Sequence, residues 1–191
     1  MNITIYAASS GQVPKVYKQA VAELGTLLVG RGHTLVNGAG CTGLMGATTD
    51  AVLAAGGCAI GVIPQFMLEQ NWQHTGMSEL IVTPDMHTRK ETMAAQSDAC
   101  IACPGGVGTL EELLEIITWK QLGLYGKPIV ILNTADFFTP LLEQFRRCTD
   151  EHFMRPVHCE IWRVASTPLE AIRLCEETPL WDSSVRKFAA L

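Results

Sequence analysis

Residues 103–112 read CPGGVGTLEE, and they follow a short apolar run, Ala99-Cys-Ile-Ala102. Pro104 closes the run, and Gly105, Gly106 and Gly108 come before a helix-forming stretch that opens on two glutamates. Without Cβ atoms the backbone can turn tightly here and come close to a ligand. Thr109 is placed to cap the helix and to offer a hydroxyl. The free N–H groups of a helix start, with the macrodipole behind them, attract an anion such as phosphate. No Gly-Lys-Ser/Thr follows, so this is not a Walker loop. The stretch reads as strand, turn and helix, the turn being either a phosphate seat or a plain glycine-rich connection.

Working outward, the same alternation fills the chain. Strands are expected at 3–8, 33–37, 58–63, 99–103, 128–132 and 161–164, and helices at 14–30, 44–55, 85–97, 109–122, 138–152 and 168–176. The middle strands are apolar on both faces, which calls for a parallel sheet covered by helices on each side. The fold class is α/β: a single Rossmann-like, doubly wound domain over residues 1–191. Its tail, TPLWDSSVRKFAAL (178–191), has no place in the alternation and is expected to pack on a partner subunit. In such folds ligands bind at the carboxyl ends of the strands. Four loops qualify: AASSG with Ser9, NGAGCTG with Gly40, IPQF, and CPGGVGT.

Composition narrows the function. A formal charge of −5 and a pI near 5.5 argue against a nucleic-acid-binding surface, though a local basic spot could still bind a small anion. The start, MNITIYAASS, has no cationic leader, and the longest apolar stretch is glycine-broken and too short to span a bilayer. A cytoplasmic location follows, and the seven cysteines then read as free thiols. Cys100 and Cys103 are three apart on a strand and point to opposite faces, so no metal is expected there. Only 17% of residues are charged and 48% are hydrophobic, with mean hydropathy +0.19, which suggests an oligomer interface.

Two helices carry chemistry. Glu111, Glu115 and Thr118 share one polar stripe, whereas Glu112 lies in the sector of Ile116 and Trp119. An acid on an apolar flank, one turn from a phosphate loop, is a candidate for catalysis. In the preceding helix Met86, Arg89, Lys90 and Met93 fall at the spacing normally kept for the core. Two cations there must either extend along their stems to water or meet an anion. A separate match, Gly38-Ala-Gly40-Cys-Thr-Gly43, fits the dinucleotide fingerprint. It follows the second strand rather than the first, and no acid stands about 20 residues on to hold a ribose.

With these residues in view, the chain resembles the LONELY GUY family of cytokinin-activating phosphoribohydrolases, whose members are often labelled possible lysine decarboxylases. The resemblance rests on PGGVGTLEE (104–112), MHTRK (86–90), GAGCTGLMG (38–46), GVIP (61–64) and TWKQLGLYGKPIVILN (118–133). It implies hydrolysis of the N-glycosidic bond of an adenosine 5′-monophosphate, often N6-modified, to free base and ribose 5-phosphate, with no cofactor. Arg89 and Glu112 would form the catalytic pair, with Lys90 beside them. Gly105, Gly106, Gly108 and Thr109 would hold the phosphate, with Met86, Ser9 and Gly40 also at the substrate, in a homodimer with pockets near the subunit interface. A pocket for an isoprenoid group would draw on Met86, Met93 and Trp119. Ala39 stands where the family has glycine and is expected to bear on substrate preference. The decarboxylase label would need a Schiff-base lysine with a partner for a pyridine nitrogen, and only Lys90 is near. Other classes remain: a non-catalytic carrier or sensor of a phosphorylated nucleotide or cofactor, or an NAD(P)-binding oxidoreductase. The presence of both Arg89 and Glu112 favours the enzyme.

Overall fold

The computed structural model describes residues 1–182. Strands and helices alternate in the order β1 (Asn2–Tyr6), α1 (Lys15–Gly30), β2 (Thr34–Asn37), α2 (Gly43–Ala54), β3 (Ala59–Pro64), α3 (Gln65–Leu68), β4 (Glu79–Thr83), α4 (Met86–Gln96), β5 (Ala99–Ala102), α5 (Val107–Gln121), β6 (Ile129–Leu132), α6 (Thr139–Asp150), β7 (Arg163–Ala165) and α7 (Pro168–Glu177). Every strand pairing is parallel, in the order β4-β3-β2-β1-β5-β6-β7. This is the expected doubly wound architecture.

The two-residue period of each strand divides the core into two layers. Ile3, Ile5, Leu35, Ile101 and Val130 face α1, α2 and α7 through Leu24, Leu28, Val52 and Ile172. Tyr6, Val36, Val62, Ala102 and Ile131 face the other way, onto Met93 of α4, Leu113 and Ile116 of α5, and Phe145 of α6. Cys100 belongs to the second layer and Cys103 to the first. Burial pushes both thiols up to about 12.

One strand was not expected from sequence. β4 is an edge strand whose apolar run is only Leu80–Val82, with Glu79 and Val82 exposed, so its pattern is weak. Pairing with β3 from Ile60↔Glu79 to Pro64↔Thr83 defines it. The last strand is Arg163–Ala165, because Ile161 and Trp162 are buried in the core beside Phe145 rather than paired in the sheet. The described part of the tail turns back on its own chain, where the Trp181 N–H donates to the Gly126 carbonyl at 2.7 Å. The rest of the expected partner-packing tail, 183–191, lies outside the described residues.

The topology places the site. From β1 the chain moves to β2 on one side, and β5 pairs on the other. The loops after β1 and β5 therefore part at their carboxyl ends and open a crevice. Its walls are tied by backbone bonds. The Ala8 N–H donates to the Pro104 carbonyl at 3.2 Å, and the Ala8 carbonyl accepts from Leu44 at 2.8 Å and Met45 at 3.1 Å.

Candidate active site

α4 begins where it does because the Asp85 carboxylate accepts the Thr88 N–H at 2.8 Å, a bond that holds its carboxyl below the usual range. That start leaves Met86 at the rim and turns Arg89 and Lys90 inward. Arg89 is only 4% exposed. Its Nε donates to the Val62 carbonyl at 3.0 Å, and its Nη1 donates to Glu112 Oε1 at 3.1 Å. The pair joins α4 to α5 beneath a cleft of about 360 Å³. Of the expected site residues, Ser9, Met86, Arg89, Gly106, Gly108, Thr109 and Glu112 line this cleft.

Gly40 lines a second lobe that shares Ser9, Met45, Met67 and Arg89 with the cleft and is bordered by Trp72, whereas Lys90 and Gly105 lie elsewhere. Lys90 Nζ is bonded to Glu111 and, at 3.1 Å, to Glu115, and it does not line the cleft. Burial pushes its amine down, but the two carboxylates outweigh that and the net shift is upward. Gly105 lies behind the turn: a Cβ there would stand 2.9 Å from Thr109 Cγ2, so its role is to admit the threonine side chain. Gly106 and Gly108, in contrast, look onto open space. Thr109 does not cap the helix. Gly106 holds the N-cap position and α5 starts at Val107, so Thr109 is the third helical residue. Glycine tolerates the cap position with little loss, which is why the hydroxyl is not needed there.

Glu112 sits in the apolar sector that its helical position implies, with its side chain 11% exposed. Burial raises its pKa, Arg89 pulls it back, Glu111 adds to the rise, and the net shift is upward. Sequence alone could not decide that balance. Glu111 is the exposed acid of the two, engaged by Lys90.

Several site residues were missed. Met45 and Met67 line the cleft, and Gly38 makes room for Arg89. A Cβ on Gly38 would clash with the Arg89 guanidinium, and one on Gly40 would stand 3.0 Å from Met45 Sδ. These glycines of the fingerprint-like loop thus serve side chains of this protein. Ala39 does not face the cleft. It is fully buried in a left-handed conformation (φ 61°), with its methyl against Gly61. Met93 is a core residue, and Trp119 lines a separate hollow along α5, so neither lines the cleft. Among the described residues no cluster of three or more metal-ligating side chains occurs, and no helix is long and apolar enough to cross a membrane.

Fold and cleft together define an α/β protein of Rossmann-like type with a ligand crevice where the strand order reverses. The family model described as "Possible lysine decarboxylase" matches residues 45–175. The probable cytokinin riboside 5′-monophosphate phosphoribohydrolase LOGL2 of Oryza sativa subsp. japonica is 43% identical over 186 residues, covering 97% of this chain and 76% of that protein. The cytokinin riboside 5′-monophosphate phosphoribohydrolase LOG1 of Arabidopsis thaliana is 41% identical over 175 residues, or 92% of this chain and 82% of that protein. The chain belongs to this phosphoribohydrolase family. Among solved structures, the molybdenum cofactor carrier protein of Chlamydomonas reinhardtii matches with a TM-score of 0.68 at 23% identity, over 92% of this chain and 96% of that one. At that identity the likeness is one of fold alone.

Proposed function

We propose that this protein hydrolyses the N-glycosidic bond of N6-modified adenosine 5′-monophosphates, releasing the free base and ribose 5-phosphate. Family membership supports the reaction class. The observation that carries the site is the buried Arg89–Glu112 pair, 3.1 Å apart, beneath a cleft rimmed by the glycine-turned start of α5.

In this reading the 5′-phosphate meets the N–H groups at the start of α5, which have no partner within the helix. Gly106 and Gly108 let it approach, and the Thr109 hydroxyl completes the seat. Fixing the phosphate sets the ribose in register over Glu112, which contributes to rate through positioning. As the C1′–N9 bond breaks, its electron pair leaves with the base, which takes up a proton from solvent water. Positive charge grows on the sugar, and the Glu112 carboxylate stabilises it and accepts the proton of the water that adds at C1′. Arg89 stays charged and is a poor proton donor, so its part is to hold Glu112 and balance charge as the base departs.

The same reading makes the protein a homodimer. Val107, Leu110 and Leu114 lie along one stripe of α5 beside the cleft, with Val107 84% exposed and Leu114 41% exposed. An exposed apolar stripe on one helix calls for a partner, and a Leu114→Glu chain is expected to sediment as a monomer where the wild type does not. The seven cysteines, all free, are consistent with a cytoplasmic location. The reaction itself is tested by comparing AMP with adenosine. Release of base from the nucleotide but not from the nucleoside is expected, and equal release would remove the phosphate seat from the account.

A further inference from the structure

β2 ends on an anomaly. It is a middle strand buried on both faces, yet its last residue is Asn37, only 1% exposed. A buried amide is costly unless both of its ends find partners. Here they do. Asn37 Nδ2 donates to Thr49 Oγ1 at 2.9 Å, and Asn37 Oδ1 accepts the Ala39 N–H at 2.9 Å. The second bond closes an Asx-turn, in which a side chain holds the backbone two residues on. Ala39 is the residue so held, left-handed and fully buried. A residue with a Cβ adopts that conformation at a cost, so the turn needs something to hold it. The turn is braced further on, where the Ala39 carbonyl accepts the His74 N–H at 2.7 Å and Met45 Sδ accepts the Gly40 N–H at 3.0 Å.

What lies against this turn gives it a role. Between Asn37 and Ala39 stands Gly38, which leaves room for the Arg89 guanidinium. In the sheet Asn37 pairs with Gly61, and the next residue of β3, Val62, accepts Arg89 Nε at 3.0 Å. Gly61 in turn admits the Ala39 methyl. Two adjacent walls of the Arg89 seat thus depend on the end of β2 and the turn that follows it. We propose that Asn37 is a positioning residue for the reaction: by fixing the left-handed turn at Ala39 it sets Gly38 against Arg89 and so aims the guanidinium at Glu112. Asn37 lines neither lobe of the cleft, so it acts through Arg89 and not on substrate. Its effect on rate rests on the hydrolase reading above, whereas its effect on the Arg89–Glu112 pair can be measured without turnover. An apolar residue at 37 would leave the Ala39 N–H without its partner. A glycine at 39 would adopt the turn unaided, so Asn37 and Ala39 form a matched pair.

The test uses Asn37→Leu and Asn37→Ala, each alone and combined with Ala39→Gly, so that misfolding of one variant does not decide the outcome. The first readout is titration of the Glu112 carboxyl by NMR of carbon-labelled glutamate, its signal assigned by its absence in Glu112→Gln. Arg89 is the neighbour that most lowers this pKa. The other ionisable groups near Glu112 are Glu111 on its own helix, Lys90 on α4 and Tyr6 at the end of β1, and Lys90 is engaged by Glu111. Loss of Asn37 should therefore raise the Glu112 midpoint, in the same direction as Arg89→Ala, whereas lost stability alone would leave it in place. The second readout is kcat/KM for N6-isopentenyl-AMP, expected to fall about 10²-fold, the scale of a misplaced catalytic group, and chiefly in kcat. Adding Ala39→Gly should restore about tenfold, the scale of the cost a Cβ meets in the left-handed region. An unmoved Glu112 midpoint in the folded variants would overturn the proposal, as would a loss that Ala39→Gly does not relieve. If the midpoint moves but the wild type releases no base, the hold of Asn37 on Arg89 stands and the hydrolase reading fails.

Discussion

Gly38 and Arg89 are fitted to one another: a Cβ on Gly38 would stand 2.9 Å from the Arg89 Cζ and closer still to Nη2. The guanidinium has little freedom to yield, because it is buried and held by the Val62 carbonyl and Glu112. Gly38→Ala should therefore displace Arg89 and lower kcat/KM by about 10²–10³-fold, the scale of losing one oriented polar group. Because both changes act through one group, Gly38→Ala combined with Arg89→Ala should be little worse than Arg89→Ala alone. Fully additive losses in steady-state kinetics would show that Gly38 acts elsewhere.

The raised pKa of Glu112 has a consequence for the pH profile. If the carboxylate is the working form, activity is lost as pH falls through its folded-state pKa, so the acid limb of kcat/KM lies above the ordinary glutamate value of about 4.3. Arg89 is the neighbour that most lowers this pKa. Any residual activity of Arg89→Ala should show the limb moved to still higher pH. A limb at or below the ordinary value would contradict the assignment.

Lys90 gives a contrasting expectation. It bonds Glu111 and Glu115 on α5 rather than facing the cleft. Lys90→Met should cost about 1–3 kcal/mol of stability, as expected when the hydrogen-bond partner of charged groups is removed. The KM for AMP should change less than about threefold, since no substrate contact is removed. Denaturant unfolding and steady-state kinetics on the same preparation separate the two effects.

Away from the site, Glu176 ties α7 to the start of β2. Its carboxylate accepts from Arg31 at 2.6 Å and lies 2.8 Å from His33 Nε2, and the Arg31 bond foremost holds its pKa down at about 2. A depressed carboxylate stabilises the fold above its unfolded value and loses that contribution as pH falls through its folded one. Glu176→Gln should thus be less stable by up to about 1 kcal/mol at neutral pH, after allowance for solvent screening. The difference should vanish between about pH 4 and 2. A gap that persists at pH 2 would point to packing instead.

Much of this was legible in the sequence because it depends on local pattern. The spacing of Met86, Arg89, Lys90 and Met93 placed two cations inward, and the angular position of Glu112 put it on the apolar flank. What each cation met was not legible, since Glu112 and Glu111 are neighbours on one helix and only the crossing of α4 with α5 assigns them. The second lobe was missed for a similar reason: it arises where the loop after α3 zips onto the loop after β2. A tryptophan within the polar stretch EQNWQHTG was the one available signal. The short edge strand β4 escaped because one side of it lacks a neighbour and its apolar run is brief.

The central claim is that Glu112, held by Arg89, carries out hydrolysis of a nucleotide's N-glycosidic bond. The most direct measurement is release of free base from N6-isopentenyl-AMP by the wild type and by Glu112→Gln, followed by chromatography. The account predicts turnover by the wild type and a loss of about 10²–10⁴-fold in the variant, the scale of a general base, with nucleotide binding retained. Equal base release by both proteins, or tight binding with none released by either, would contradict it.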